Sequence, residues 1–201
     1  MAIGLVVIQS VAFPNVFLRM DGGSGTVNCQ YYEQPGGLYQ FNYPIPDIGN
    51  DEVFELIPLA EIEGGYGGYE IRSLSSPQAF LRIDGSNVTQ YDVAGSGTVN
   101  CQYYSPGSYP QYYSSDYEHF NIGTYYPSPW FTEPVYYYIQ SARFQNSFLR
   151  IDGSNVMQFG VTGSGTVNCQ YYDYSMAQTP SGDAWELLNI IYITPPTQVF
   201  T

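Results

Sequence analysis

One hexapeptide recurs three times along this 201-residue chain, and that recurrence constrains the fold more than any local propensity. Phe17-Leu18-Arg19-Met20-Asp21-Gly22 returns as Phe80-Leu81-Arg82-Ile83-Asp84-Gly85 and as Phe148-Leu149-Arg150-Ile151-Asp152-Gly153. Downstream of each lies Gly-Ser-Gly-Thr-Val-Asn-Cys-Gln-Tyr-Tyr, ending at Tyr32, Tyr104 and Tyr172. The second and third copies agree at 21 of 25 positions from Phe to the final Tyr. An Ile-polar-Ser triplet precedes each hexapeptide, at Ile8, Ile71 and Ile139, and a Glu-led apolar segment follows each Tyr-Tyr, at Glu52, Glu118 and Glu186. Each unit thereby offers four short strands, and the units begin 63 and then 68 residues apart.

Period-two alternation sorts the faces of these strands. Leu18 with Met20, Val27 with Cys29 and Phe54 with Leu56 share one side, and their counterparts in the other copies do the same. Four strands alone cannot bury such a face, so three units must pack around a common axis. Gly 21, Pro 14 and Tyr 22 supply turn formers and strand formers, and the fold class expected is all-β.

Three units of four strands spanning residues 1–193 resemble a β-trefoil, and the run Phe-Leu-Arg-x-Asp-Gly, Gly-Thr-Val-Asn-Cys, Glu-x-Phe-x-Leu is most similar to fascin-like, actin-crosslinking-type repeats. The hexapeptide Phe-Leu-Arg-Ile-Asp-Gly is also similar to strands of fibroblast growth factors. The resemblance implies one β-trefoil domain of three pseudo-equivalent repeats near 1–60, 61–123 and 124–193, with a C-terminal extension from Thr194. Two departures limit it to architecture. The ricin-type lectin signature Gln-x-Trp is missing from all three repeats, and no basic surface is present for actin.

The charge balance narrows the partners. All five basic residues are arginines against 18 acidic ones, a net charge of −13. Phosphate backbones and anionic membranes call for clustered Lys and Arg, so neither is an expected partner. No run approaches a membrane-spanning length, and Ala2–Val11 reads as a strand and not as a leader. Unpaired thiols suit a reducing compartment, whereas the scarcity of tryptic sites suits an extracellular one, and the compartment stays undecided.

Candidate chemistry sits at repeated positions. Asn28, Gln30 and Tyr32, with Asn100, Gln102 and Tyr104, and Asn168, Gln170 and Tyr172, lie on the strand face opposite the cysteines. Amides that donate and accept, beside an aromatic plate, suit a neutral sugar, and three such strips would be multivalent. Undiverged duplication explains the same identities. Arg19, Arg82 and Arg150 each precede an Asp by two positions, which favours an internal ion pair over recognition of a ligand carboxylate or sulfate. Cys29, Cys101 and Cys169 point inward as small apolar groups, with no metal role expected. Asp-Gly-Ser-Asn at 84–87 and 152–155 reads as a turn before it reads as a calcium ligand set.

His119 has no recurring acid or nucleophile around it, and no catalytic role or cofactor is expected. Tyr-rich connections, Tyr31 to Tyr43, Tyr103 to Tyr117, Tyr125 to Tyr138 and Tyr171 to Tyr174, fit a recognition or assembly surface. The expected function is a non-enzymatic, lectin-like carbohydrate-binding module with up to three sites. Its rivals are a protein that self-assembles through the Tyr loops, a protease inhibitor and an actin-crosslinking protein; the partner is thus a glycan, a protein surface or a second copy. Repeat 1 has nine fewer residues between its Asp-Gly and Gly-Ser-Gly and is expected to be the odd site.

Overall fold

A computed structural model describes residues 4–32, 48–59, 68–88, 97–105, 117–127, 135–156, 163–173, 180 and 184–193. The extension expected from Thr194 and most of the Tyr-rich connections lie outside these residues. Within them the chain forms twelve strands and one 3-10 turn at Asn50–Glu52, and no helix is long and apolar enough to cross a membrane. The first copy contributes β1 (Gly4–Ser10), β2 (Val16–Asp21), β3 (Thr26–Tyr31) and β4 (Phe54–Pro58). The second contributes β5 (Tyr69–Ser73), β6 (Ala79–Asp84), β7 (Gly97–Tyr103) and β8 (Phe120–Tyr125). The third contributes β9 (Tyr136–Ser141), β10 (Ser147–Asp152), β11 (Gly165–Tyr171) and β12 (Leu188–Tyr192).

Equal sequences make equal hairpins. β2–β3, β6–β7 and β10–β11 pair antiparallel in one register, with Arg19 opposite Asn28, Arg82 opposite Asn100 and Arg150 opposite Asn168. All eighteen residues assigned inward by alternation join one core, fifteen of them buried, with Cys101, Ile122 and Ile190 packed partly buried against it.

The joining of the units overturns the β-trefoil reading, and the fascin-like resemblance with it. Ten strands close a single antiparallel circuit, β11-β3-β2-β1-β12-β9-β8-β5-β6-β7 and back to β11. The two remaining strands lean on this barrel, β4 against β1 and β5, and β10 against β11 and β9. The repeats dictate matching hairpins, but hydrogen bonding between hairpins is not shared out alike. β11 forms ladders with both β3 and β7, through Thr166↔Asn28 and Asn168↔Thr98. Between β3 and β7 the described residues show a backbone bond, Cys101 N–H to Gly25 O at 3.3 Å, and no ladder.

Each hairpin also leans on the following copy, in cyclic order. A Cβ added at Gly22 would overlap Ser76 of the second copy, at Gly85 it would overlap Ser147 of the third, and at Gly153 it would overlap Phe13 of the first. The glycine after each Asp is therefore required by close approach to its neighbour. The thiols follow the same order: Cys101 Sγ lies 3.8 Å from Asp21 O, Cys169 Sγ 3.8 Å from Asp84 O, and Cys29 Sγ 3.5 Å from Asp152 O.

Candidate functional site

The three Asn-Gln-Tyr strips are equivalent in sequence and register but not in exposure. Gln30 and Gln170 are buried, at 5% and 7% exposure, whereas Gln102 is exposed. The neighbouring tyrosines differ in the same sense. Tyr31 and Tyr171 pack against the core, while Tyr103 is 55% exposed and its hydroxyl donates to Gln78 Oε1.

The cause lies one copy away. Gly163, in the long third hairpin, takes the left-handed conformation (φ 62°) that favours glycine, and its N–H donates to Gln30 Oε1 at 2.6 Å while it packs on Asn28. That hairpin roofs β3. In the same way Val156 seats beside Cys29, and Val88 of the second hairpin beside Cys169; the two valines are 3% and 5% exposed. The first hairpin, short by nine residues, carries no such valine, and its Gly23 N–H turns back to Asp21 Oδ1 at 3.0 Å. The strand it should roof is β7. Cys101 and Gln102 consequently stand more open than their counterparts, so the strip that differs in exposure is that of the second copy, next to the copy with the short hairpin.

The third residue of each strip is engaged from within. Tyr32, Tyr104 and Tyr172 meet Phe17, Phe80 and Phe148 edge to face, with ring centroids 5.9, 5.5 and 5.3 Å apart. The Tyr172 hydroxyl donates to Glu186 Oε2 at 2.9 Å, and the Gly49 N–H donates to the Tyr32 oxygen at 3.3 Å. Among the amides, Asn168 Oδ1 accepts from Arg150 at 3.3 Å, whereas Asn28 Oδ1 and Asn100 Oδ1 are buried without a hydrogen bond.

The arginines do reach the aspartates two residues on in the second and third copies, at 3.5 and 3.7 Å. Arg19 instead takes Asp51 at 2.6 Å. The partner common to all three is the buried glutamate that opens each final segment: Arg19 Nε lies 3.6 Å from Glu52, Arg82 Nε 3.8 Å from Glu118 and Arg150 Nε 3.7 Å from Glu186. Burial pushes the Glu52 and Glu186 carboxyls above the usual range, while the Tyr hydroxyl and the Arg beside each draw them partly back. Sequence reasoning saw the recurring Glu and gave it no role; its invariance across copies was the available signal.

Burial raises the three thiols, Cys29 and Cys169 to about 12 and Cys101 to about 11. Asp84 and Asp152 each accept the N–H and hydroxyl of the serine two residues on, at 3.1 and 2.6 Å, which makes these segments Asx turns. His119 Nε2 lies 3.3 Å from Glu70 Oε1 on the adjoining strand. Residues that sequence reasoning gave no role are Gln78, which accepts from the Tyr103 hydroxyl, and Arg143 of the third copy, whose guanidinium lies over the Tyr117 ring. No protein-family model matches the chain, and no curated protein matches it either.

Proposed function

We propose that the protein is a non-enzymatic glycan-binding module whose open site lies on β7, around Asn100, Gln102, Tyr103 and Tyr104. The observation that carries this reading is Gln102, exposed at the one strip of the three that its neighbour leaves unroofed, with the 55% exposed Tyr103 ring adjoining it at the end of β7 from the opposite strand face. An exposed ring covers the apolar face of a pyranose, and carboxamides match hydroxyls that both donate and accept. With β3 and β11 roofed, the molecule offers one such site instead of three. A glycan microarray tests the reading: binding should be lost in Tyr103→Ala and sharply weakened in Gln102→Ala. Silence across neutral and acidic glycans, or binding indifferent to both substitutions, overturns it.

A second reading, association of copies, is favoured by a separate surface. Tyr192 and Ile193 are 42% and 44% exposed where β12 ends, with Tyr192 near Tyr69 and Tyr137, and Tyr126 is 60% exposed past the end of β8. Light scattering at rising concentration tests it, with a constant monomer mass counting against it.

A further inference from the structure

Gln30 and Gln102 hold their carboxamides in the same way and differ by one hydrogen bond. Each donates from Nε2 to the carbonyl of the tyrosine that follows it, Gln30 to Tyr31 O at 3.4 Å and Gln102 to Tyr103 O at 3.2 Å. That bond engages the amide nitrogen and leaves Oε1 as the group that meets a partner, and Oε1 only accepts. On β3 its partner is the Gly163 N–H at 2.6 Å, so that a backbone secondary amide lies on the strip, its α-carbon against the Asn28 carboxamide. On β7 Gln102 Oε1 has no hydrogen bond among the described residues, because the short first hairpin brings no peptide over it. The asparagines do not make the difference: Asn28 Oδ1 and Asn100 Oδ1 are alike in being buried without a hydrogen bond. The open strip thus presents an oriented acceptor whose counterpart the molecule itself satisfies with an amide N–H.

Resting on the glycan reading of β7, we infer that Gln102 Oε1 receives the N–H of an acetamido group, so that the preferred ligand is a glycan bearing an N-acetylated amino sugar. Hydroxyls also donate, but of the substituents common on sugar rings it is the acetamido group that reproduces the planar secondary amide seated on β3, with its N–H on one edge. Gln102 is exposed, and no roof on β7 restricts the ring that carries the nitrogen. Carboxylates and sulfates are poorer matches. They bring acceptors only, to a strip whose exposed amide nitrogen is engaged and whose Arg82, opposite Asn100, already faces Asp84 at 3.5 Å and Glu118 at 3.8 Å. The net charge of −13 opposes them further.

Titration of the native protein with matched oligosaccharides, one ring position carrying an acetamido group, a hydroxyl or an O-acetyl ester, reads the preference as a ratio of affinities. The acetamido form should bind about tenfold more tightly than either of the others, the ester failing because it keeps the acetyl group and lacks the N–H. Gln102→Met, which keeps the length of the side chain and removes the acceptor, should bring the ratios near one at an unchanged melting temperature. Equal binding of the three forms by the native protein, or a preference that survives Gln102→Met, overturns the acetamido subsite and leaves the glycan module standing. Absence of binding to every form overturns both. Capture of a synthetic peptide of residues 153–164 with no binding of any glycan does the same and assigns the strip to a polypeptide.

Discussion

The strips on β3 and β7 have the same residues in the same register, yet one is closed and the other open. On β3, Gln30 is bonded to a hairpin from the third copy, Cys29 is fully buried and Tyr31 packs against the core. On β7 the same three positions, Cys101, Gln102 and Tyr103, are progressively released to solvent. The difference does not reside in either strand. It is set by the length of the preceding hairpin, which acts on the following copy. A deletion in a cyclic repeat is thus read out by the neighbour, and a candidate site should be sought one unit away from the irregularity that creates it.

The comparison is broken most directly by moving the roof. Replacing residues 22–24 with the third-copy segment 153–164 should cover β7, abolish glycan binding and reduce labelling of Cys101 to that of Cys29. Unchanged labelling would show that the hairpin does not set the exposure.

Next in size is the tight side of the comparison. Arg150→Ala leaves buried Glu186 without its cation, a loss of about 3–5 kcal/mol, or roughly 10 °C in melting temperature for a chain this long. Arg82→Ala, whose side chain is twice as exposed at 22% against 11%, should fall short of that. Equal losses measured by calorimetry would count against the open character of the second copy.

Thiol chemistry gives a finer contrast. All three thiols are held well above neutrality, so native protein should label slowly, with Cys101 first and by about tenfold, in keeping with a pKa of about 11 against about 12. Mass spectrometry after a timed alkylation identifies the order.

The smallest effect expected is on pH dependence. The raised Glu52 and Glu186 contribute stability that is present below the unfolded value of 4.5 and lost as pH rises through their folded values. The lowered Asp21 and Asp84, held by serine hydroxyls and backbone N–H groups, contribute stability that is present above 3.8 and lost as pH falls through their folded values. Urea midpoints should therefore rise gently from pH 7 toward the mid-4s and fall below pH 3.8. A steady fall from pH 7 downward would contradict the burial of the glutamates.

Much of the local structure was legible because period-two alternation is a local signal: the inward parity of Val27 and Cys29, repeated at Val99 and Val167, was enough to place them in the core. The closure was misread because it depends on which hairpins share ladders, and the sequences of β3 and β7 do not differ in a way that tells why β11 pairs with both. Arg19 was assigned to Asp21 by proximity in the strand, whereas Asp51 and Glu52 arrive from beyond a long connection that the alternation does not see. Gln30 and Gln102 are the same residue in the same motif, and their opposite exposures follow from a contact with residue 163 that no local reading of either strand contains.

That contact also bears on the order in which the molecule is completed. The partner of Gln30 lies 133 residues farther along the chain, and β1 is paired with β12. During synthesis the amino-terminal third thus emerges from the ribosome with a strand edge and the core thiol of Cys29 still awaiting groups that have yet to be polymerised. Such long-range pairings slow folding and prolong the exposure of unpaired edges. The second hairpin finds its acceptor in the third copy and the first finds its acceptor in the second, so each of those steps can proceed as the chain grows. The last step alone turns back to the first copy, and it joins β1 and β12 in one event.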